Sequence, residues 1–229
     1  MHATIEHIIN NAPGHPMRLL ILLLATTAII SISACESTYY NAMEKVGVHK
    51  RDILVDRVDE AKESQEDAQE QFKDALSEFR SVVSFNGGNL ESHYHRLNSE
   101  FEDSEAAAKE VTDRINSVES VAEALFDEWQ DELKLYSNER LRADSANKLQ
   151  ATKRQYGVLI KSMRRAEKSI DPVLNALRDN VLYLKHNLNA SAIGALKGEL
   201  AGIDRDVQQL LGAMEKAISE SDAFIKQLK

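Results

Sequence analysis

"FRSVVSFNGGNLESHYHRLNSEF", residues 79–101, decides the fold. On its left, Phe79, Val82 and Val83 end an apolar series that starts at Val58 and runs through Ala61, Ala68, Phe72, Ala75 and Leu76, with polar Gln65 filling one slot. On its right, Leu90, Tyr94, Leu97 and Phe101 begin another. Both recur at spacings of three and four, which places each on one stripe of an α-helix. Between them lies Phe85-Asn86-Gly87-Gly88-Asn89. The glycines supply positive φ, which stops a helix, and the Asn89 side chain is suited to cap the next one. Two long helices joined by so short a turn lie antiparallel. The spacing predicts helices over 50–84 and 90–136.

The same pattern continues outward. The second stripe extends through Ala108, Val111, Ile115, Val118, Ala122, Leu125, Trp129 and Leu133, and Tyr136-Ser137-Asn138 reads as a turn. A third helix carries Leu141, Leu149, Tyr156, Leu159, Ile160, Met163 and Ile170. Asp171-Pro172 interrupts it, and two outcomes are open: Asp171 caps a new helix, or one long helix kinks at Pro172. Val173, Leu174, Leu177, Val181, Leu182 and Leu184 lead to a turn at 187–191. Leu196, Leu200, Ile203, Val207, Leu210, Leu211, Met214, Ile218, Phe224, Ile225 and Leu228 mark a final helix. A 45-residue helix is about 68 Å long. The expected fold is all-α: an elongated antiparallel helical bundle or coiled coil of four to five long helices over residues 50–229.

Composition agrees. Of 229 residues, 28% are charged and 6% aromatic, and only one of three prolines lies beyond residue 16. The formal net charge of −9 argues against general nucleic-acid binding, which needs a basic surface. A single cysteine excludes both an internal disulfide and a Cys-based zinc site.

That cysteine, Cys35, follows a distinctive segment. After Met17-Arg18, Leu19 to Ala34 carries no charge. The run is short for a membrane span, which wants about 20 residues, and suits the apolar core of a secretory signal. It ends Ile32-Ser33-Ala34-Cys35, which resembles a bacterial lipobox. Small residues let extended backbone enter a peptidase, and the thiol accepts a diacylglyceryl group. The reading divides the chain into a signal peptide, 1–34, with Met1 and Met17 as alternative starts; a lipidated tether, 35–49; and the helical domain, 50–229. Each buried CH₂ contributes about 0.8 kcal/mol, so two or three acyl chains hold a protein firmly on a bilayer. By resemblance to lipoproteins in general, Glu36 is not the Asp that marks inner-membrane retention. The expected site is the periplasmic face of the outer membrane.

Charge is segregated by helix. Residues 56–78 hold nine acids and three bases, net −6; 100–132 hold twelve and two, net −10; 133–168 hold three acids and ten bases, net +7. Flanking charges select helix partners in coiled coils, so the basic third helix is expected to pack between the acidic first and second. A competing reading uses Arg140, Arg142, Lys153, Arg154, Arg164 and Arg165, with Lys161 and Lys168, as contacts for anionic lipid headgroups.

No phosphate loop, nucleophile elbow or H-E-x-x-H is present. His93 and His95 sit two apart and point about 200° apart on a helix, unsuited to one metal. No cofactor, metal site or catalytic residue is expected, and the chain reads as a non-enzyme. Gly194, Gly198 and Gly202 repeat every four residues, a pattern for close helix approach or for a loosened helix start. Lys229 ends the chain, as a lysine does in lipoproteins of the Braun type, where it is joined to peptidoglycan. That resemblance implies a tether as one alternative.

"YYNAMEKVGVHKRDILVDRV", "SFNGGNLE", "VAEALFDEW" and "DPVLNALRDNVLYLKHNLNA" resemble the bacterial proteins grouped as domain-of-unknown-function family 2959, over about residues 38–229. The resemblance implies a helical, often lipoprotein-signalled protein and carries no catalytic residues. Within it, "VLYLKHNL", with His186 at its centre, is expected to line a packed interhelical joint. The function expected is structural: a lipid-anchored spacer or scaffold that binds a protein partner or itself through its helices.

Overall fold

The computed structural model describes residues 49–229, of which Lys50–Lys229 form one compact unit. The signal segment, Cys35 and nearly all of the tether lie outside the described residues. Among the described residues five helices follow in order: α1 (Lys50–Val83), α2 (Leu90–Glu132), α3 (Glu139–Lys168), α4 (Ile170–His186) and α5 (Ala190–Leu228). A single 3₁₀ turn, Leu133–Leu135, follows α2. Among the described residues there is no strand. The fold is an all-α bundle, as the stripes require.

The three reversals share one device. Asn89 Oδ1 accepts from the backbone N–H of Glu91 at 3.0 Å and of Ser92 at 3.4 Å. Asn138 Oδ1 accepts from Arg140 at 3.0 Å and Leu141 at 3.2 Å, and Asn189 Oδ1 from Ala192 at 3.1 Å. Each satisfies N–H groups that a helix start leaves without partners, which is worth about 1 kcal/mol per cap. Gly87 and Gly88 adopt φ of +137° and +116°, strained for any residue with a Cβ.

The break at Asp171-Pro172 follows neither expected outcome. α3 ends at Lys168, and one αR residue, Ser169 (φ −78°, ψ −8°), links it to α4. Ser169 makes no side-chain cap, and its hydroxyl donates to the Arg165 carbonyl at 2.9 Å. Pro172 falls in the first turn of α4, where a missing N–H costs nothing and φ is already suitable. The discontinuity therefore sits two residues ahead of Asp171, and α3 and α4 act as one broken column.

Helix contacts define a ring of four columns. α1 packs on α2 and α5; the α3–α4 column packs on α2 and α5. The basic third helix therefore does not lie between the first and second. Consecutive antiparallel helices are neighbours and the last closes on the first, so α3 takes the corner diagonal to α1. The core is the set of stripes: Leu54, Val58, Phe72 and Phe79 of α1; Leu97, Val111, Ile115 and Val118 of α2; Leu149, Leu159 and Met163 of α3; Val173, Leu177 and Leu184 of α4; Val207, Leu210, Met214 and Phe224 of α5, all buried. Full burial of such a side chain is worth roughly 1.5–3 kcal/mol.

Gln65 belongs to the same core and is fully buried. Its Nε2 donates to the Ala61 carbonyl at 3.2 Å, while its Oε1 has no partner.

Candidate functional site

On α3, Arg140, Arg154, Lys161, Arg165 and Lys168 fall within an arc of about 80° at 100° per residue. All five are exposed, and among the described residues none forms an ion pair or hydrogen bond through its side chain. The six candidate headgroup residues thus divide by face. Arg140, Arg154 and Arg165 stand in this row. Arg142 lies about 120° around the helix from the centre of the row, 3.8 Å from Glu139. Lys153 and Arg164 turn toward α2.

Of these two, Arg164 makes the acid contact that alternating charge suggested, and Lys153 reaches α2 without meeting an acid. Arg164 reaches Glu119 of α2 (Nε to Oε1, 3.2 Å) and Asn116 (2.7 Å), and Glu167 on its own helix (2.9 Å). The hydrogen bond to Glu119, opposed by burial and reinforced by Glu167, holds the guanidinium charged even more firmly than usual. Lys153 donates to Gln130 at 3.0 Å and lies over the Phe126 ring, 5.4 Å from its centroid. Trp129 of α2 donates its indole N–H to Ser145 of α3 at 2.8 Å. Tyr156 sits edge-on to Phe126, with centroids 5.4 Å apart, and 6.3 Å from Phe224. Burial, with help from Glu119, pushes the Tyr156 phenol up to about 12.

Other interhelical ion pairs involve α1 and α4. Arg114–Glu60 (2.8 Å), Arg96–Glu78 (3.2 Å) and Lys50–Glu128 (3.2 Å) join α1 to α2. Lys62 bridges Asp59 (3.0 Å) and Asp222 of α5 (3.3 Å), and Arg80 pairs with Asp204. Arg178 of α4 meets Glu105 at 2.9 Å. Apart from Lys50, whose side chain is buried, the partners are at least partly open to solvent, and exposed pairs contribute about 0–1 kcal/mol each. They set register more than stability.

That register fixes the two ends. Lys50 opposite Glu128 places the start of α1 near the end of α2. Lys62 opposite Asp222 places Lys229 at the same end, about 8 Å short of Lys50 at 1.5 Å per residue. The start of α1 and Lys229 therefore lie at the same end of the bundle.

Beyond Glu128, α2 and its 3₁₀ turn run another seven residues before the reversal at 136–138. The α2–α3 hairpin thus projects about 10 Å past Lys50, and further past the end of α5. Leu135 is 82% exposed, Leu141 50% and Tyr136 39%. Leu141, expected in the core stripe, is a correction: among the described residues no column extends far enough to cover it. Leu182 is another, 51% exposed. With Tyr183, His186 and Leu188 also exposed, "VLYLKHNL" does not form a packed joint; only Val181 and Leu184 are buried.

Gly194 and Gly198 are exposed and Gly202 half-buried, and a Cβ at any of them would meet nothing within 4 Å. Among the described residues no helix approaches that face within 4 Å. His93 and His95 are not brought together. His93 Nδ1 faces Arg96 at 2.8 Å and Glu78 at 3.5 Å, while His95 lies 3.9 Å from Glu91. No group of His, Cys, Asp and Glu able to hold a metal occurs among the described residues. None of their helices is long and apolar enough to cross a membrane. Sequence reasoning missed the projecting hairpin. The signal available was the run Leu133-Lys134-Leu135-Tyr136, too apolar for a solvated turn.

Fold and surface together define the class: a four-column antiparallel helical bundle whose distinctive features lie on its outer faces and its ends. A family model described as "Protein of unknown function (DUF2959)" matches residues 39–228, and the chain belongs to that family. No curated protein matches the chain.

Proposed function

We propose that the chain is a lipid-anchored cell-envelope protein of structural type, a spacer or scaffold that works through contacts made by its flanks. Cys35, behind its apolar run and small residues, would carry the lipid, with the protein on the periplasmic face of the outer membrane. The observation that carries the flank reading is the row Arg140, Arg154, Lys161, Arg165 and Lys168, which is exposed, unpaired among the described residues and set on the corner diagonal to acidic α1. Five like charges along about 42 Å of helix repel one another unless an acidic surface faces them. An acidic protein face, from a partner or a second copy, matches the row in chemistry and length. Crosslinking in intact cells with an amine–carboxyl reagent, followed by mass spectrometry, should find Lys161 and Lys168 joined to acidic residues of another chain. Crosslinks confined to their own helix would refute the reading.

One observation favours a second reading. The same row could meet anionic headgroups, with the bundle lying along a bilayer, because Val158 stands exposed among its cations. Charge reversal of Arg154 and Arg165 would then abolish vesicle binding and leave crosslinking to proteins unchanged.

A further inference from the structure

The α2–α3 hairpin projects past the rest of the bundle and ends in Leu135, Tyr136 and Leu141, three exposed apolar side chains within seven residues. Water-facing leucines scattered singly are ordinary, but a cluster at a projecting tip marks an interaction surface. Its position selects the partner. Lys50, where the helical unit begins, is held opposite Glu128 at this same end. Fifteen residues separate Lys50 from Cys35. Fully stretched they span about 50 Å, and as a flexible coil about 20 Å. A lipid at Cys35 therefore keeps the tip within reach of the bilayer surface, at a high effective concentration.

The local chemistry suits an interface rather than a second protein. Tyr136 joins an apolar ring to a polar hydroxyl, the combination favoured at headgroup level. From 133 to 142 the charges are Lys134, Arg140 and Arg142 against Glu139, three positive to one negative. Arg140 has no side-chain partner among the described residues, and Lys134 meets only Asp131, at 2.6 Å. The acids Asp131 and Glu132 lie behind the tip along α2, on the side away from a surface that the tip would touch. No described helix could cross a membrane, and three side chains can only seat at its face.

We propose that the hairpin tip docks on the lipid surface to which the chain is tethered, with Leu135, Tyr136 and Leu141 among the upper acyl chains and Lys134 and Arg140 at headgroup phosphates. The bundle then stands on its α2–α3 end, with "NLNAS" and "FNGGN" at the far end. This rests on the lipid-anchor reading above, which is tested separately in the same experiment.

The full chain, produced with its signal segment, is reconstituted into vesicles of phosphatidylethanolamine and phosphatidylglycerol with brominated acyl chains. Trp129→Phe removes the sole tryptophan. Into that background go, one at a time, Leu135→Trp, Leu141→Trp, Val158→Trp and Leu182→Trp, all at exposed positions. Circular dichroism first checks that each variant keeps its helix content. Flotation with the vesicles reports the anchor. Bromine quenching reports which part touches lipid. The expected result is quenching of Leu135→Trp and Leu141→Trp at least about threefold stronger than of Leu182→Trp, with Val158→Trp as weak as Leu182→Trp. Flotation with all four weakly quenched overturns the proposal and spares the anchor. Quenching of Val158→Trp instead overturns it in favour of a bundle lying on α3. An emission shift at Leu135→Trp that follows protein concentration and ignores lipid overturns it in favour of a second copy. Failure to float refutes the anchor, and the docking proposal falls with it.

Discussion

Gln65→Met isolates the one buried side-chain polar atom that is left unmatched among the described residues. Gln65 is fully buried in α1, and Oε1 has no hydrogen-bond partner. Leaving a carbonyl desolvated and unpaired costs about 1–3 kcal/mol. The compensating bond, Nε2 to the Ala61 carbonyl at 3.2 Å, is worth about 0.5–1.5 kcal/mol at best. That carbonyl already accepts the helical N–H of Gln65, so its loss is mild. Methionine keeps the length and flexibility of glutamine and removes both polar atoms. The difference predicts stabilisation of about 1 kcal/mol. For a unit of this size that is about 2–4 °C in Tm, or roughly 0.5 M in the urea midpoint with an m of about 2 kcal/mol/M. Urea unfolding followed by far-ultraviolet circular dichroism measures it, with m required to stay constant. Gln65→Ala serves as a contrast, because the cavity makes it destabilising. A Gln65→Met variant destabilised by 1 kcal/mol or more would refute the reasoning, for it would mean that Oε1 is satisfied. A gain in stability accompanied by a change in oligomeric mass would instead assign Gln65 to register, the role of a polar residue in a coiled-coil seam.

Three further outcomes follow from the geometry. Asn138→Ala removes the cap of α3 and should cost about 1 kcal/mol, read as a lower urea midpoint, whereas Asn138→Asp should cost much less. Arg164→Met breaks the ties to Glu119 and Asn116; since these groups are partly solvated, a loss near 1 kcal/mol is expected, shrinking as salt is raised. The Tyr156 phenol, raised to about 12 by burial, keeps its proton in the folded state while the unfolded chain loses it near 10. Its contribution is therefore whole below pH 10 and is lost as pH rises toward 12. Tyr156→Phe should flatten that part of the alkaline unfolding profile, and an unaltered profile would argue against a buried phenol.

The sequence spoke most clearly where chemistry is local. Gly87-Gly88 and Asn89 mark a reversal by themselves, and α1 ends at Val83, one residue from the expected 84. The stripes named most of the core, because a heptad-like repeat shows which face is dry, but they passed over Leu54, Phe126 and Ile193, which are buried. They could not show how far a neighbouring column extends, so Leu141 and Leu182 read as core and are exposed. Leu141 lies in the projecting hairpin, and Leu182 near the opposite reversal. The charge blocks were visible as blocks, but their partners depend on ring order. α3 meets α2 and α5, and only Arg164 of its nine bases reaches an acid on α2. Pro172 signalled a break, yet the break came at Ser169, since a proline is content in the first turn of a helix that has already begun.

The most direct test of the account is the chemical state of Cys35. Cells expressing the full chain are labelled with palmitate, and the protein recovered from membranes is analysed by intact mass and by sequencing of its N-terminus. The account predicts incorporated label and an N-terminal Cys35 bearing diacylglyceryl, with label lost and precursor accumulating in Cys35→Ala. Membrane-extracted protein that carries no label, or whose N-terminus begins at Met1 or Met17 with a free Cys35 thiol, would contradict it.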